Sequence, residues 1–240
     1  MKAVILAGGN GTRFGDVTKN RPKPMIEIGG KPIIWHIMKI YISHGINTFV
    51  ICCGYKGDVI KKYFANHTLK KKHQTLQVIP IDTGETTMTG SRIKMIAKYI
   101  GKETFCLTYG DGLADIDISK LIAFHKKNKS LATVTAVHPP QTFGQLKIRK
   151  NGRVIDFAEK KASTSWINGG FFVLEPGIFK YLSDKNCVWE EEPLEKLAKD
   201  NQLIAYKHSG FWQCMDTVKD KNLLDQLWDK GEAPWKTWRD

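Results

Sequence analysis

The chain has 240 residues, with 37 basic and 24 acidic side chains and a formal net charge of +13. At 42% hydrophobic, 25% charged and 10% aromatic residues it has the composition of a globular protein and excludes whole-chain disorder. Its apolar runs are far shorter than the roughly 20 residues a bilayer-spanning helix needs, and the one at the amino terminus is cut off at once by Gly8 and Gly9, which argues against a signal peptide. In chain order, residues 2–7 read as a buried strand: a short apolar run stopped by glycines. The spacing predicts a helix over 32–44, with Ile33, Ile34, Ile37, Ile40 and Tyr41 on one side and Gly45 as its stop. A second strand follows at 47–53, a helix at 58–67 and a strand at 75–81. Residues 91–100 read as one amphipathic helix, 104–108 as a strand, 118–127 as a helix and 131–137 as a strand. Beyond residue 140 the texture changes. Residues 144–149 and 153–157 alternate apolar and polar around Asn151-Gly152, which is a hairpin pattern. A strand at 171–174 and helices at 193–199 and 218–230 complete the chain.

Alternating strands and helices imply an α/β fold: a Rossmann-like, mostly parallel sheet with helices on both faces and a small antiparallel extension after residue 140. No linker, low-complexity segment or internal repeat divides the chain, so one domain is expected. Within it, the change of texture near residue 140 separates residues 1–140 from residues 141–240, the second part holding the C-terminal helices.

The charge raises the question of nucleic acid. The basic runs at 70–73 and 126–129 are short, far apart and not interleaved with stacking aromatics, so no nucleic-acid partner is expected. Five cysteines, at 52, 53, 106, 187 and 214, form an odd set without a Cys-x-x-Cys pair. They read as reduced thiols of a cytoplasmic protein, with Cys52 and Cys53 on opposite faces of their strand. Zinc has no supporting spacing.

The strongest local signal is Leu6-Ala7-Gly8-Gly9-Asn10-Gly11-Thr12-Arg13, directly after the first strand. Its glycines let backbone N–H groups approach phosphate oxygens, and Arg13 supplies a forked cation. A dinucleotide fingerprint would need glycine where Phe14 stands, and a P-loop would need Gly-Lys-Ser/Thr where Gly11-Thr12-Arg13 stands. A plain glycine turn has the same local sequence. Arg21-Pro22-Lys23-Pro24 holds a lysine between two prolines, stiff enough to aim at a phosphate, although Pro-Lys-Pro also occurs in surface loops. Tyr109-Gly110-Asp111-Gly112 ends a strand, where an aspartate can hold Mg2+ against phosphates or simply make a turn.

In this order and spacing the three motifs resemble the sugar-phosphate nucleotidyltransferases. The segments 28–41, 52–57, 82–84, 88–92, 167–174 and 233–238 resemble the glucose-1-phosphate cytidylyltransferase branch, and the similarity runs over nearly the whole chain. The resemblance implies transfer of a cytidylyl group from CTP to glucose 1-phosphate, with Mg2+ as cofactor, by a homo-oligomer. It implies Arg13, Lys23 and Asp111 as catalytic residues. Leu6 to Arg13, Lys23, Gly54, Tyr55, Thr86, Ser91, Arg92 and Gly110 would bind the nucleotide. Tyr109, Glu159, Lys160, Asn168 and Gly169 would bind the sugar phosphate, and Asp111 and Asp216 the metal. The seven histidines then need no catalytic role. UTP or dTTP, another sugar 1-phosphate, or a non-catalytic nucleotide-sugar binder are the alternatives. Three departures stand out: Lys161 replaces the family proline after Glu159-Lys160, Arg21 replaces a common lysine, and the stretch between Tyr63 and Asp82 is short. The tryptophans at 228, 235 and 238 offer apolar area to their own domain or to a neighbouring subunit.

Overall fold

The structure is a computed structural model and describes residues 1–11, 14–15, 18–66, 76–139, 145–158 and 165–238. The strands are β1 (Ala3–Ala7), β2 (Glu27–Ile28), β3 (Lys31–Pro32), β4 (Thr48–Cys53), β5 (Gln77–Asp82), β6 (Phe105–Tyr109), β7 (Gly112–Ala114), β8 (Ala132–Val137), β9 (Gln145–Ile148), β10 (Val154–Ala158), β11 (Ile167–Leu174), β12 (Leu203–Lys207) and β13 (Trp212–Cys214). The helices are α1 (Ile33–Ser43), α2 (Gly57–Asn66), α3 (Thr89–Met95), α4 (Ala97–Ile100), α5 (Ile118–Asn128), α6 (Glu192–Lys199) and α7 (Val218–Asp229).

Seven strands form the central sheet in the order β12-β8-β11-β6-β1-β4-β5. All share one direction except β11, which runs antiparallel to both of its neighbours. The expected fold class is therefore observed, with the antiparallel β9–β10 hairpin after residue 140. β1 is buried at every position, as a central strand covered on both faces must be. Side chains alternate between two cores. Ile5, Phe49, Ile51, Cys53, Phe171 and Val173 meet α1, α5 and the C-terminal segment on one face. Val4, Leu6, Val50, Cys52, Phe172 and Leu174 meet α3, α4 and α6 on the other. Cys52 and Cys53 thus lie on opposite faces as their alternation requires, and all five cysteines are free thiols.

Helix ends follow local chemistry. α1 stops before Gly45, which adopts φ 82°. α5 is capped by Asp117, whose carboxylate accepts the Lys120 N–H at 2.9 Å. α7 carries a reciprocal Thr217–Asp220 capping box. The single helix expected over 91–100 is instead two, α3 and α4, broken at Ile96 (φ −91°, ψ 2°). The tightened turn redirects the chain while Ile93, Ile96 and Ile100 all stay buried. The tryptophans near the end pack on their own domain: Trp235 is fully buried and, with Trp35, Trp228 and Trp238, encloses His36. Half of the short stretch between Tyr63 and Asp82, residues 67–75, lies outside the described residues.

Candidate active site

In the sheet order, β4 lies on one side of β1 and β6 on the other, so the connections diverge at the carboxyl ends of β1 and β6. Ligands bind at such switch points in open α/β sheets. A cavity of about 620 Å3 opens there. Leu6, Ala7, Gly8, Gly9 and Gly11 form one wall, continuing β1 into the glycine turn. The turn is braced from behind by Arg92, which is only 4% exposed. Its Nη2 donates to the carbonyls of Gly8 and Glu85, both at 3.1 Å, and its Nη1 donates to Thr83 Oγ1 at 2.6 Å and the Cys53 carbonyl at 3.2 Å. A Cβ on Gly8 would lie 2.1 Å from Arg92 Nη1, and one on Gly54 would lie 2.5 Å from the Gly8 carbonyl oxygen. These close approaches require glycine. Tyr55 adds its own N–H to the Gly8 carbonyl at 3.3 Å.

The floor carries the charge. Lys23 opens a short 3-10 helix, Lys23–Met25, between Pro22 and Pro24. Its Nζ donates to Asp111 Oδ2 at 2.6 Å and to Asp216 Oδ1 at 2.7 Å. Asp111 follows β6. Asp216 follows β13, whose pairing with β7 sets Cys214 opposite Gly112. The Met215 N–H donates to the Asp111 carbonyl at 2.9 Å and locks the two aspartates together. Burial pulls the Lys23 ammonium down, but Asp111 and Asp216 outweigh it, so its pKa stands above 10.5 and the group is charged at neutral pH. Burial and the neighbouring Asp111 hold the Cys214 thiol far above its usual range. Carboxylate oxygens of Asp111 and Asp216 and the Cys214 sulfur lie within 4.8 Å of one another. Two hard oxygen donors that already converge on an ammonium suit a divalent cation such as Mg2+.

The far wall is built on β11. A register shift between Asn168 and Phe172, with Gly170 at φ 79°, turns Asn168 into the cavity. Asn168 Nδ2 donates to the Tyr109 hydroxyl oxygen at 3.1 Å, and the Gly170 N–H donates to Asn168 Oδ1 at 2.8 Å. Trp212 Nε1 donates to the Gly169 carbonyl at 2.7 Å. Glu190 completes this wall, accepting from Thr89 Oγ1 at 2.6 Å. Burial, then Glu190, pushes the Tyr109 phenol well above its usual pKa, which keeps it a neutral hydrogen-bonding group.

Of the residues singled out in the sequence, Leu6, Ala7, Gly8, Gly9, Gly11, Lys23, Arg92, Tyr109, Gly110, Asp111, Asn168 and Asp216 meet at this cavity. Gly54, Tyr55 and Gly169 stand behind its walls, and Asn10 is exposed beside it. Thr86 is exposed outside the lining, where Thr87, Met88 and Thr89 stand instead. Ser91 is buried, and its hydroxyl accepts the Cys187 N–H at 3.1 Å. The Arg92 guanidinium donates to four protein acceptors and holds the glycine turn from behind. Thr12, Arg13, Glu159 and Lys160 lie outside the described residues. The sequence reading did not find Glu190, Trp212 or Cys214. For Trp212 and Cys214 the neighbouring Asp216 was the available signal; Glu190 had none.

The sequence model of the family described as Nucleotidyl transferase matches residues 2–238. The glucose-1-phosphate cytidylyltransferase of Salmonella typhimurium is 51% identical over 257 aligned residues, covering 99% of this chain and all of that protein. A probable glucose-1-phosphate cytidylyltransferase of Bacillus subtilis is 45% identical over 255 residues with the same coverage. Among solved structures, HddC from Yersinia pseudotuberculosis shares 27% identity and a TM-score of 0.73, over 95% of this chain and 99% of that one. A UDP-glucose pyrophosphorylase at 20% identity shares the fold, with a TM-score of 0.74 over 96% of this chain and 98% of its own. A glycine turn, a lysine between two aspartates and a polar wall on β11 thus stand within a sequence pattern matched over residues 2–238, and the chain belongs to the nucleotidyl transferase family.

Proposed function

We propose that this chain transfers the cytidylyl group of CTP to α-D-glucose 1-phosphate, giving CDP-glucose and pyrophosphate. The observation that carries this reading is Lys23 held between Asp111 and Asp216 across the cavity from the glycine turn. It stands in a chain 51% identical over its length to a glucose-1-phosphate cytidylyltransferase. The phosphate oxygen of the sugar attacks the α-phosphorus in line. A new P–O bond forms, the α–β bridging P–O bond breaks, and the electron pair leaves on pyrophosphate. The nucleophile is already anionic, so no strong general base is needed. The barrier is repulsion between two anions and charge on the leaving group, which cations and backbone donors lower.

The glycine turn offers N–H groups to the triphosphate, and Lys23 supplies its charge to phosphate at the reacting centre. Asp111 and Asp216 would hold Mg2+, which when bound neutralises phosphate charge. Tyr109, Asn168 and Glu190 offer hydrogen-bonding groups to the sugar hydroxyls. Arg13 and Thr12 are assigned to the triphosphate, and Glu159 and Lys160 to the sugar phosphate. In this reading residues 1–140 mainly bind the nucleotide, and residues 141–240 bind the sugar phosphate and contribute Asp216. No helix among the described residues is long and apolar enough to cross a membrane. The reading includes a cytoplasmic homo-oligomer acting on small molecules. Pyrophosphate release with glucose 1-phosphate and each of CTP, UTP, dTTP and GTP tests it. CTP gives the highest kcat/KM; absence of turnover with CTP refutes it.

A further inference from the structure

The catalytic cation site contains a thiol that Mg2+ has no use for. Mg2+ takes oxygen donors and keeps several waters, so two aspartates suffice for it. Yet Cys214 stands across the β7–β13 pair from Gly112, next to Asp111, and two residues before Asp216. Asp111, Cys214 and Asp216 are the one group of three potential metal-binding side chains found among the described residues. The other four cysteines are buried, whereas Cys214 is half-buried and lines the cavity.

We propose that Cys214 turns this site into a two-carboxylate, one-thiolate trap for thiophilic divalent cations, Zn2+ and Cd2+, which bind there in competition with Mg2+. Zn2+ accepts both sulfur and carboxylate oxygen, at about 2.3 Å and 2.1 Å, so two donors on one tetrahedral ion stand about 3.4–3.6 Å apart. The three donor atoms are already within 4.8 Å of one another, and the widest pair has to close by at most about 1.4 Å to meet one tetrahedral ion. A fourth position stays open towards the cavity, as three protein ligands leave it in tetrahedral geometry. The order of divalent affinities also favours Zn2+ over lighter cations wherever a soft donor is present. Lys23 lies between the aspartates and must withdraw for any cation, so it does not offset this preference. On binding, the metal–sulfur bond forms, the thiol proton passes to solvent, and no atom changes oxidation state.

The inference rests on the two aspartates being the cation ligands, and its readout needs neither nucleotide nor turnover, so it is separable from the CTP assay. The metal-free full chain is titrated with Cd2+ and followed by the ultraviolet thiolate-to-cadmium charge-transfer band. The band rises to saturation at one equivalent and is absent from Cys214→Ser. Calorimetry with Zn2+ gives an affinity lower by about tenfold or more in Cys214→Ser. Mg2+ affinity measured the same way stays within about twofold of the parent. Cys214→Ala, checked by circular dichroism, repeats the measurement without a hydroxyl. A band that persists in both variants, or an unchanged Zn2+ affinity, overturns the proposal.

Discussion

Replacing Arg92 by methionine keeps most of the side-chain volume and removes every donor. The guanidinium makes four hydrogen bonds, to the carbonyls of Gly8, Glu85 and Cys53 and to Thr83 Oγ1. At about 1.5–3 kcal/mol for each bond from a charged group, the naive loss is roughly 6–12 kcal/mol. That is too large, because the acceptors keep other partners. Gly8 still receives the Tyr55 N–H, and Cys53 still receives the Thr83 N–H at 2.8 Å and Thr83 Oγ1 at 2.6 Å. Glu85 is exposed, so water replaces the guanidinium there. Methionine also escapes the several kcal/mol that burying a guanidinium costs. The expected net loss is about 3 kcal/mol, against a typical domain stability of about 5–15 kcal/mol, so Arg92→Met folds. Urea unfolding at unchanged slope reads this loss. The functional effect falls on the glycine turn: KM for CTP rises about tenfold, and kcat falls by less. A loss under about 1 kcal/mol together with an unchanged KM refutes the bracing role.

Lys23→Ala removes the cation between the aspartates, and kcat falls by about two to three orders of magnitude while circular dichroism is unchanged; near-parental turnover contradicts its placement at the reacting phosphates. Because the folded-state pKa of Lys23 is raised, its stabilisation is complete below pH 10.5 and is lost only above that pH, so it imposes no alkaline limb below pH 10.5. His36 behaves oppositely. Burial lowers its pKa to about 4 from 6.5, while Nε2 donates to the Ile28 carbonyl and Nδ1 accepts from Trp235 Nε1. The unfolded chain takes the proton first, so stability is full above pH 6.5 and falls by about 3 kcal/mol on the way to pH 4. In His36→Gln this acid slope flattens; urea midpoints that follow the parental pH dependence would sink the assignment.

The parts of the fold that were legible are those whose burial leaves a mark along the chain. β1 and β4 are covered on both faces and therefore appear as apolar runs, at 3–7 and 49–53. α1 shows apolar residues at helical spacing and ends at an identifiable stop, Gly45. β12 left no such mark, because it is an edge strand with half-exposed side chains. The pairs β2–β3 and β7–β13 are two or three residues long, too short for any periodicity. Yet β7–β13 is what brings Asp216 to Asp111 across more than a hundred residues. The break at Ile96 was hidden because the helical spacing of Ile93, Ile96 and Ile100 is satisfied on either side of it.

The same distinction separates the site residues. Gly8, Lys23 and Asp111 stand in motifs with local mechanical reasons, while Asp216 and Asn168 came only from resemblance. Glu190 is the first of three consecutive glutamates at the start of α6, where acidic residues are ordinary. Only the Thr89 contact and the cavity wall set it apart. Its presence changes what the charge of the chain means. A net +13 invites the idea of a basic basin that draws in anions. The described lining instead holds two cations, Lys23 and Arg92, and three carboxylates, Asp111, Asp216 and Glu190. Arg92 is moreover turned towards the backbone, so the described cavity is acidic within a basic protein. Arg13 and Lys160, expected at its edge, would bring it only near neutrality. A triphosphate and a sugar phosphate together carry several negative charges, and both must enter. The divalent cation is then a requirement of the lining itself: without it the aspartates hold Lys23, and the two anions meet a floor of like charge.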